Sequence, residues 1–448
     1  MSVTAVVGCG WGDEGKGKIV DAIAAEREAR LVIRFNGGPN AGHTVVPEVD
    51  PVETKGALPP WNRVPFKLHQ VPSGVFTPGC LSICGPGTVI DPDGFLDEVR
   101  ELEQHGVDTR HVLLSDRAHV ILPLHRQRDK LLEAARENLE QGTTLRGVGP
   151  AYEDKMARIG LRLGDLLEPD YLDEYLPFYA EEQSRRLGAL GGEPVDAREL
   201  RALCDRWAEQ LRDRIVDSYL IVRDVLREGG EIILEGQLGA CRDIDWGIYP
   251  YVTSSGATAA AGAATSGVPP SAIGEIVGVV KAFATSVGKG PFVTELTGEL
   301  AELLRSAGEL EAEQEYGATT GRARRCGWFD AVAARQAAAI NGCTTLALTK
   351  LDALDGLVEL KVATAYRLDG ATLDYVPSST RRLARATPIY ETLAGWKAPA
   401  REQRQWLALP PEARTYAERI EQLVGVPVGY AGTGPSRLAL VRRCTTSS

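Results

Sequence analysis

The residues best suited to chemistry stand near the start of the chain, in Gly10-Trp11-Gly12-Asp13-Glu14-Gly15-Lys16-Gly17-Lys18. Glycine, four residues, glycine and lysine is the spacing of a phosphate-binding loop. Glycines there let backbone N–H groups turn inward around phosphate oxygens, and the amino end of a following helix adds a favourable dipole. A bland glycine-rich turn would account for the glycines but not for an acidic pair and two lysines packed among them. Where such loops carry a Ser or Thr that holds magnesium, this chain has Gly17. Another oxygen must then hold the metal, and Asp13, inside the loop, is the natural candidate.

A second signal is Thr349-Lys350-Leu351-Asp352 at the end of an apolar run. A carboxylate so placed accepts hydrogen bonds from the ring N–H and exocyclic amine of guanine, a pair of donors that adenine does not present together. The segment resembles the base-reading motif of G proteins, which usually begins with Asn. Surface turn residues alone would explain a lysine and an aspartate after a strand. Paired with the first motif, the segment favours GTP over ATP.

Strands and helices must position these groups. Val3 to Val7, Leu31 to Phe35, Ile232 to Leu234, Ile276 to Phe283 and Thr345 to Thr349 read as buried strands. Lys18 to Glu28 and Asp330 to Asn341 read as crossover helices, the second capped by Gly342. The alternation predicts an α/β protein, one elaborated domain spanning 1–448 around a mainly parallel central sheet. Residues 46–72 are proline-rich and read as a loop or hairpin insertion. Residues 165–228 read as a helical elaboration, with Leu200, Leu203, Trp207, Leu211 and Ile215 on one stripe. Core packing is the simpler explanation of that stripe, and a dimer surface the alternative.

A chain of 448 residues with 44% hydrophobic and 25% charged composition buries a large core. A net charge of −11 and a pI near 5.3 argue against affinity for the nucleic-acid backbone and leave small molecules as the expected partners. An anionic substrate would still need a local basic pocket. The amino end shows no basic start followed by a cleavable apolar stretch, and no apolar run is long enough to span a membrane, which together predict a cytoplasmic protein. The eight cysteines are scattered and all six histidines lie at or before His125, so zinc is poorly supported and reduced thiols are expected.

The strand at Leu31 leads into Asn36-Gly37-Gly38-Pro39-Asn40-Ala41-Gly42-His43-Thr44. With that segment the chain resembles the adenylosuccinate synthetases. The match recurs in Gly149 to Lys155, Asp243-Ile244-Asp245, Tyr249 to Ser255, Gly317 to Arg325, Thr349 to Asp352 and Gly432-Thr433-Gly434-Pro435, and leaves chiefly the insertion outside it. The resemblance implies a carbon–nitrogen ligase of purine biosynthesis with a P-loop-like GTP-binding fold. In that family the 6-oxo group of IMP becomes nucleophilic when an aspartate, matched by Asp13, takes the ring N1 proton. The oxygen attacks the terminal phosphate of GTP while a histidine matched by His43 assists, and aspartate then displaces the phosphate to give adenylosuccinate. An isolated histidine is more often structural, but the glycine-flanked loop only thirty residues from Asp13 favours catalysis.

The resemblance also implies a ligand set. Asp13, His43 and Lys16 would be catalytic. GTP would meet Gly12, Glu14, Gly15, Lys16, Gly17 and Lys18, then Gly42, His43 and Thr44, then Lys350, Leu351 and Asp352, and finally Gly432, Thr433 and Gly434. The acceptor nucleotide would meet Asp13, Asn40, Ala41, Thr144, Leu238, Thr253, Arg322 and Arg158, the last reaching across a homodimer from the second subunit. Aspartate would meet Ala318, Thr319, Thr320, Gly321, Arg322 and Arg324, paired guanidinium groups suiting its two carboxylates. One magnesium ion per subunit would be held by Asp13 and the carbonyl of Gly42.

Several departures from the family pattern share one place. Gly10 stands where a glutamine is usual before the phosphate loop. Glu235-Gly236-Gln237-Leu238-Gly239 replaces Glu-Gly-Ala-Gln-Gly, so Leu238 takes the position of an amide that reaches the 6-oxygen. Ser255-Gly256-Ala257 stands for Ser-Asn-Thr, Leu145 for a glycine and Ser286 for an arginine. Two acceptors are therefore expected as alternatives: IMP, with Gln237 shifted by one place to do the missing work, or another purine-like nucleotide of a specialised pathway. A GTP-binding sensor that does not ligate is a third reading, opposed by His43 and the paired arginines. A nucleic-acid-binding repressor lacks a docking motif.

Overall fold

The computed structural model describes residues 3–50, 58–317 and 321–443. Its centre is a ten-stranded sheet ordered Leu440–Arg442, Val428–Gly432, Thr345–Thr349, Ile273–Lys281, Val3–Gly8, Ile232–Gly239, Leu31–Arg34, Leu81–Cys84, Val112–Ser115, Ile215–Val216. Every neighbouring pair runs parallel except the edge pair at Leu440–Arg442. The apolar runs are continuous rather than alternating because both faces of such a sheet are covered. All six residues of Val3–Gly8 are buried accordingly. The expected mixed α/β architecture is what the chain adopts.

Most elements lie where the apolar pattern puts them, with shifts at the ends that have local causes. The first helix runs Lys16–Glu26 rather than from Lys18. Gly15 takes a left-handed φ of 88° as its cap, so the lysine after it already sits in the first turn. The helix Ala331–Asn341 ends on Gly342 at φ 65°, whose N–H bonds Ala338 and Ala339 carbonyls. The strand at Ile276 starts earlier, at Ile273, where it still pairs with Val3.

Within the expected insertion, Phe66–Leu68 pairs antiparallel with His43–Val45, while residues 51–57 lie outside the described residues. The 165–228 segment forms the helices Pro169–Gly188, Ala197–Leu211 and Ser218–Arg227. Leu200, Trp207 and Leu211 are buried in the chain's own core with Leu203 packed beside them, and Ile215 belongs to the edge strand. Core packing therefore uses this stripe.

Strand Ile232–Gly239 departs from regular pairing at its carboxyl end. Val6 faces Glu235 but Gly8 faces Gly239, so the intervening residues bulge and Leu238 takes a left-handed φ of 62°. Among the described residues no helix is long and apolar enough to cross a membrane.

Candidate active site

Six adjacent parallel strands, from Leu31–Arg34 across to Val428–Gly432, end on the same rim of the sheet. Ligands of open α/β sheets bind at such a rim, outside the carboxyl ends of the strands. That topology alone gathers Asp13, Asn40, Leu238, Lys281, Asp352 and Gly434, which are scattered over 422 positions of sequence, around one cavity.

The glycine-rich loop before the first helix turns through positive φ angles at Gly12 (95°), Asp13 (59°) and Gly15 (88°). Glu14 shapes it from inside: its carboxylate accepts the Gly12 N–H at 2.8 Å and the Lys16 ammonium at 2.5 Å. Gly15, Lys16, Gly17 and Lys18 line the cavity, whereas Gly12 and Glu14 face the core behind the loop. Lys18 donates to the carbonyls of Gly434 at 2.6 Å and Ala439 at 2.7 Å, tying the carboxyl-terminal loop to the first helix. Burial pushes its ammonium down to about 8, against the pull of Asp352. With Lys281, Lys350 and Arg324 on the same walls, five cationic side chains face the carboxylates of Asp13, Glu313, Glu315 and Asp352, so in an acidic protein this pocket carries a slight positive excess.

At the far end Asp352 is almost wholly buried, and one oxygen pairs with Arg401 at 2.9 Å. Burial raises its carboxyl, with Lys18, Lys350 and Arg401 opposing. Leu351 packs into the apolar core beneath it, and the Thr433 hydroxyl is given to the Gln403 carbonyl at 2.7 Å. Of the 432–434 segment, Gly434 reaches the cavity wall.

His43 and Asp13 stand at the other end. His43 Nδ1 lies 2.5 Å from Glu235, whose two oxygens also accept the Ser73 hydroxyl at 2.6 Å and the Ser73 N–H at 2.8 Å. Burial lowers the imidazole's pKa and Glu235 works against that shift. Burial likewise works against the Glu235 charge, but His43, Arg34 and Ser73 outweigh it and hold the carboxyl below its ordinary value. Asp13 pairs with Arg324 at 2.9 Å. Arg324 also bonds Glu315 at 2.7 Å, and Glu315, fully buried, is 2.8 Å from Lys281. Glu235, Ser73, Lys281 and Glu315 were not among the residues the sequence marked. A charged residue directly after a short apolar run, as Glu235 follows Ile-Ile-Leu and Lys281 follows Val-Gly-Val-Val, was the available signal.

Asp13, Asn40, Gly42 and Leu238 line this cavity and also a second, wider one that extends to Thr144 and Thr253. Ala41 and Thr44 line the first cavity only. Arg158 is exposed at the left-handed end of helix Val148–Ala157 and Arg322 donates to the Gly142 carbonyl at 3.3 Å; both stand off the two cavities. Gly321 is exposed at φ 64°, and Ala318, Thr319 and Thr320 lie outside the described residues. Asp13 and Gly42, the two expected magnesium ligands, both line the two cavities, and a carboxylate and a carbonyl are hard oxygen donors of the kind magnesium takes. Among the described residues no three His, Cys, Asp or Glu side chains cluster as a metal cage.

A family model described as adenylosuccinate synthetase matches residues 5–441. The chain belongs to the adenylosuccinate synthetase family. An adenylosuccinate synthetase of Dehalococcoides mccartyi is 44% identical over 438 residues, covering 98% of this chain and 99% of the relative. The solved structure of fully ligated adenylosuccinate synthetase from Plasmodium falciparum superposes with a TM-score of 0.88 at 33% identity, covering 99% and 100% of the two chains. A cyanophage S-2L succinoaminodeoxyadenylate synthetase bound to dGMP and dATP shares the fold, with a TM-score of 0.59 at 21% identity over 99% and 96%.

The departures at Gly256, Ser286 and Leu238 can be followed into their surroundings. A Cβ at Gly256 would come within 2.6 Å of the Ala261 Cβ, so no asparagine fits there without movement. At Ser286, where the family pattern has arginine, a guanidinium arrives from elsewhere: Arg242 donates to the Ser286 hydroxyl at 2.6 Å and to the Val287 carbonyl at 2.9 Å. Leu238 presents an apolar wall beside Asp13, while the Gln237 amide turns to Arg34, Gly38 and Asn40.

Proposed function

We propose that the whole chain acts as one unit that joins L-aspartate to the 6-carbon of IMP, with GTP as phosphoryl donor, giving adenylosuccinate, GDP and phosphate. The observation that carries this reading is the place of Asp13 and His43, where a cavity reaching Asp352 adjoins one reaching Thr144 and Thr253. Full-length similarity to synthetases at 44% identity favours IMP over a different acceptor.

Asp13 takes the proton from N1 of IMP, and the 6-oxygen attacks the terminal phosphorus of GTP as the bond to GDP breaks. His43, backed by Glu235, donates to the phosphoryl oxygens as charge builds, and Lys16 and the loop N–H groups stabilise the same charge. A magnesium ion at Asp13 and the Gly42 carbonyl would neutralise phosphate charge. Arg322 and Arg324 hold the aspartate carboxylates. The aspartate amine adds to carbon 6, loses a proton, and expels the oxygen with the phosphoryl group. Arg158 completes the acceptor site of the partner in a cytoplasmic homodimer.

The test is phosphate release from GTP with IMP and aspartate, followed by mass detection of the adduct. Release that depends on both co-substrates is expected, and GTP turnover indifferent to aspartate would favour a sensor. Base reading has its own check. Asp352→Asn exchanges one acceptor for a donor, which fits xanthine's 2-oxo group instead of guanine's amine. Losing a hydrogen bond made by a charged group costs about 1.5–3 kcal/mol, so KM for GTP is expected to rise about ten- to a hundredfold while XTP becomes a usable donor. Unchanged GTP kinetics would remove Asp352 from base recognition.

A further inference from the structure

The Gln237 amide is fixed by donors whose identity is beyond question. Its Oε1 accepts the backbone N–H of Gly38 at 3.0 Å and the Arg34 guanidinium at 2.9 Å. Neither group can accept, so the atom facing them is oxygen and the other amide atom is nitrogen. That nitrogen donates to Asn40 at 2.7 Å, which makes the receiving atom of Asn40 its oxygen. The Asn40 Nδ2 group is consequently the one left over, and it has no hydrogen-bond partner among the described residues. Asn40 lines both cavities where they adjoin, beside Asp13 and Leu238.

The arrangement is built into the backbone. Gln237 is 2% exposed and sits on the bulge of its strand. A Cβ on Gly37, which has φ 80°, would fall 1.6 Å from the Gln237 Oε1, so only glycine there leaves room for the amide.

Resting on the functional reading above, we propose that Gln237 is a positioning residue that locks the Asn40 amide with its N–H₂ toward the transferred group. A donor at that junction complements an oxygen: the 6-oxygen of the acceptor and the phosphoryl oxygens it gains. An amino group at the same position would find no acceptor on Asn40. Released from Gln237, the Asn40 amide turns between its two orientations, and the donor is present only part of the time.

The test is a double-mutant cycle on the full-length protein with IMP, aspartate and GTP, reading kcat and KM separately, with binding of a fluorescent GTP analogue and thermal melting as controls. A preorganised donor facing developing charge is worth about a hundredfold in kcat when removed, so Asn40→Ala is expected near that loss and Gln237→Met at about tenfold, with GTP affinity held. The decisive arm is the double variant, expected to be no slower than Asn40→Ala alone, because Gln237 has then nothing to position. Losses that multiply in the double variant, or full activity in Gln237→Met, overturn the proposal. Should Gln237→Met melt early, Gln237→Glu retains the Arg34 and Gly38 contacts and inverts the Asn40 amide. It is expected to weaken IMP while improving competition by the 6-amino nucleotide, and an unchanged ratio of the two overturns the proposal. A wild-type chain that forms no adduct with IMP defeats the functional reading itself, and is told apart because it fails before any variant is made.

Discussion

Asp13→Asn is expected to lower adduct formation by about a thousandfold or more while GTP still binds measurably. A positioned general base contributes about a hundred- to ten-thousandfold, and the same carboxylate is proposed to hold the metal. Asparagine is the informative replacement because position 13 has a left-handed φ of 59° that Asn tolerates and most residues do not. The loop therefore keeps its shape, and Glu14, which draws Gly12 and Lys16 inward, is undisturbed. What disappears is the charge facing Arg324 and the ability to take a proton. Adduct yield by mass spectrometry and titration with a fluorescent GTP analogue separate the two roles. Near wild-type turnover would remove Asp13 from the role of base.

Glu235→Gln is expected to reduce kcat by about a hundredfold and to move the alkaline limb of the pH profile to lower pH, because it disables a positioned acid–base group. The neutral His43 ring gives its Nδ1 proton to Glu235 and leaves Nε2 bare, so donation toward a phosphoryl oxygen needs the imidazolium. Glu235 favours that charged form and burial opposes it. Removing the Glu235 charge lowers the histidine pKa further, so the active protonated form is lost earlier as pH rises. With the glutamine oxygen retained by the Ser73 N–H, its nitrogen faces His43 Nδ1 and makes that atom an acceptor, so the ring stays neutral with its proton on Nε2 and offers a donor without the positive charge that a phosphoryl group gathering charge calls for. A pH–rate profile of kcat checks both effects, and an unshifted limb with normal rate would mean that His43 works without its buried partner.

The frame of this site was legible from residue patterns, and its inner contacts were not. Continuous apolar runs such as Leu31 to Phe35 announce strands buried on both faces, and the glycine spacing from Gly10 to Gly15 announces the tight loop that opens the first helix. Glu235 was hidden because a single carboxylate after Ile-Ile-Leu reads as the end of a strand, and the pairing to His43 spans 192 positions that only the sheet order brings together. The Lys281–Glu315–Arg324–Asp13 chain of charges is concealed in the same way. Gln237 and Leu238 defeat strand periodicity outright, since the bulge reorients both side chains and no period-two pattern predicts it. The Arg242–Ser286 hydrogen bond joins positions 44 apart and is visible only when the two segments touch.

All of this converges on one event, the passage of the acceptor's own oxygen onto the terminal phosphate beside Asp13 and His43. IMP carrying heavy oxygen at carbon 6, turned over with unlabelled GTP and aspartate, tests that event directly. The label is expected in the released phosphate, at one atom per adduct formed. Adduct formation with phosphate free of label would contradict the mechanism, because the oxygen would then have left carbon 6 without ever being phosphorylated.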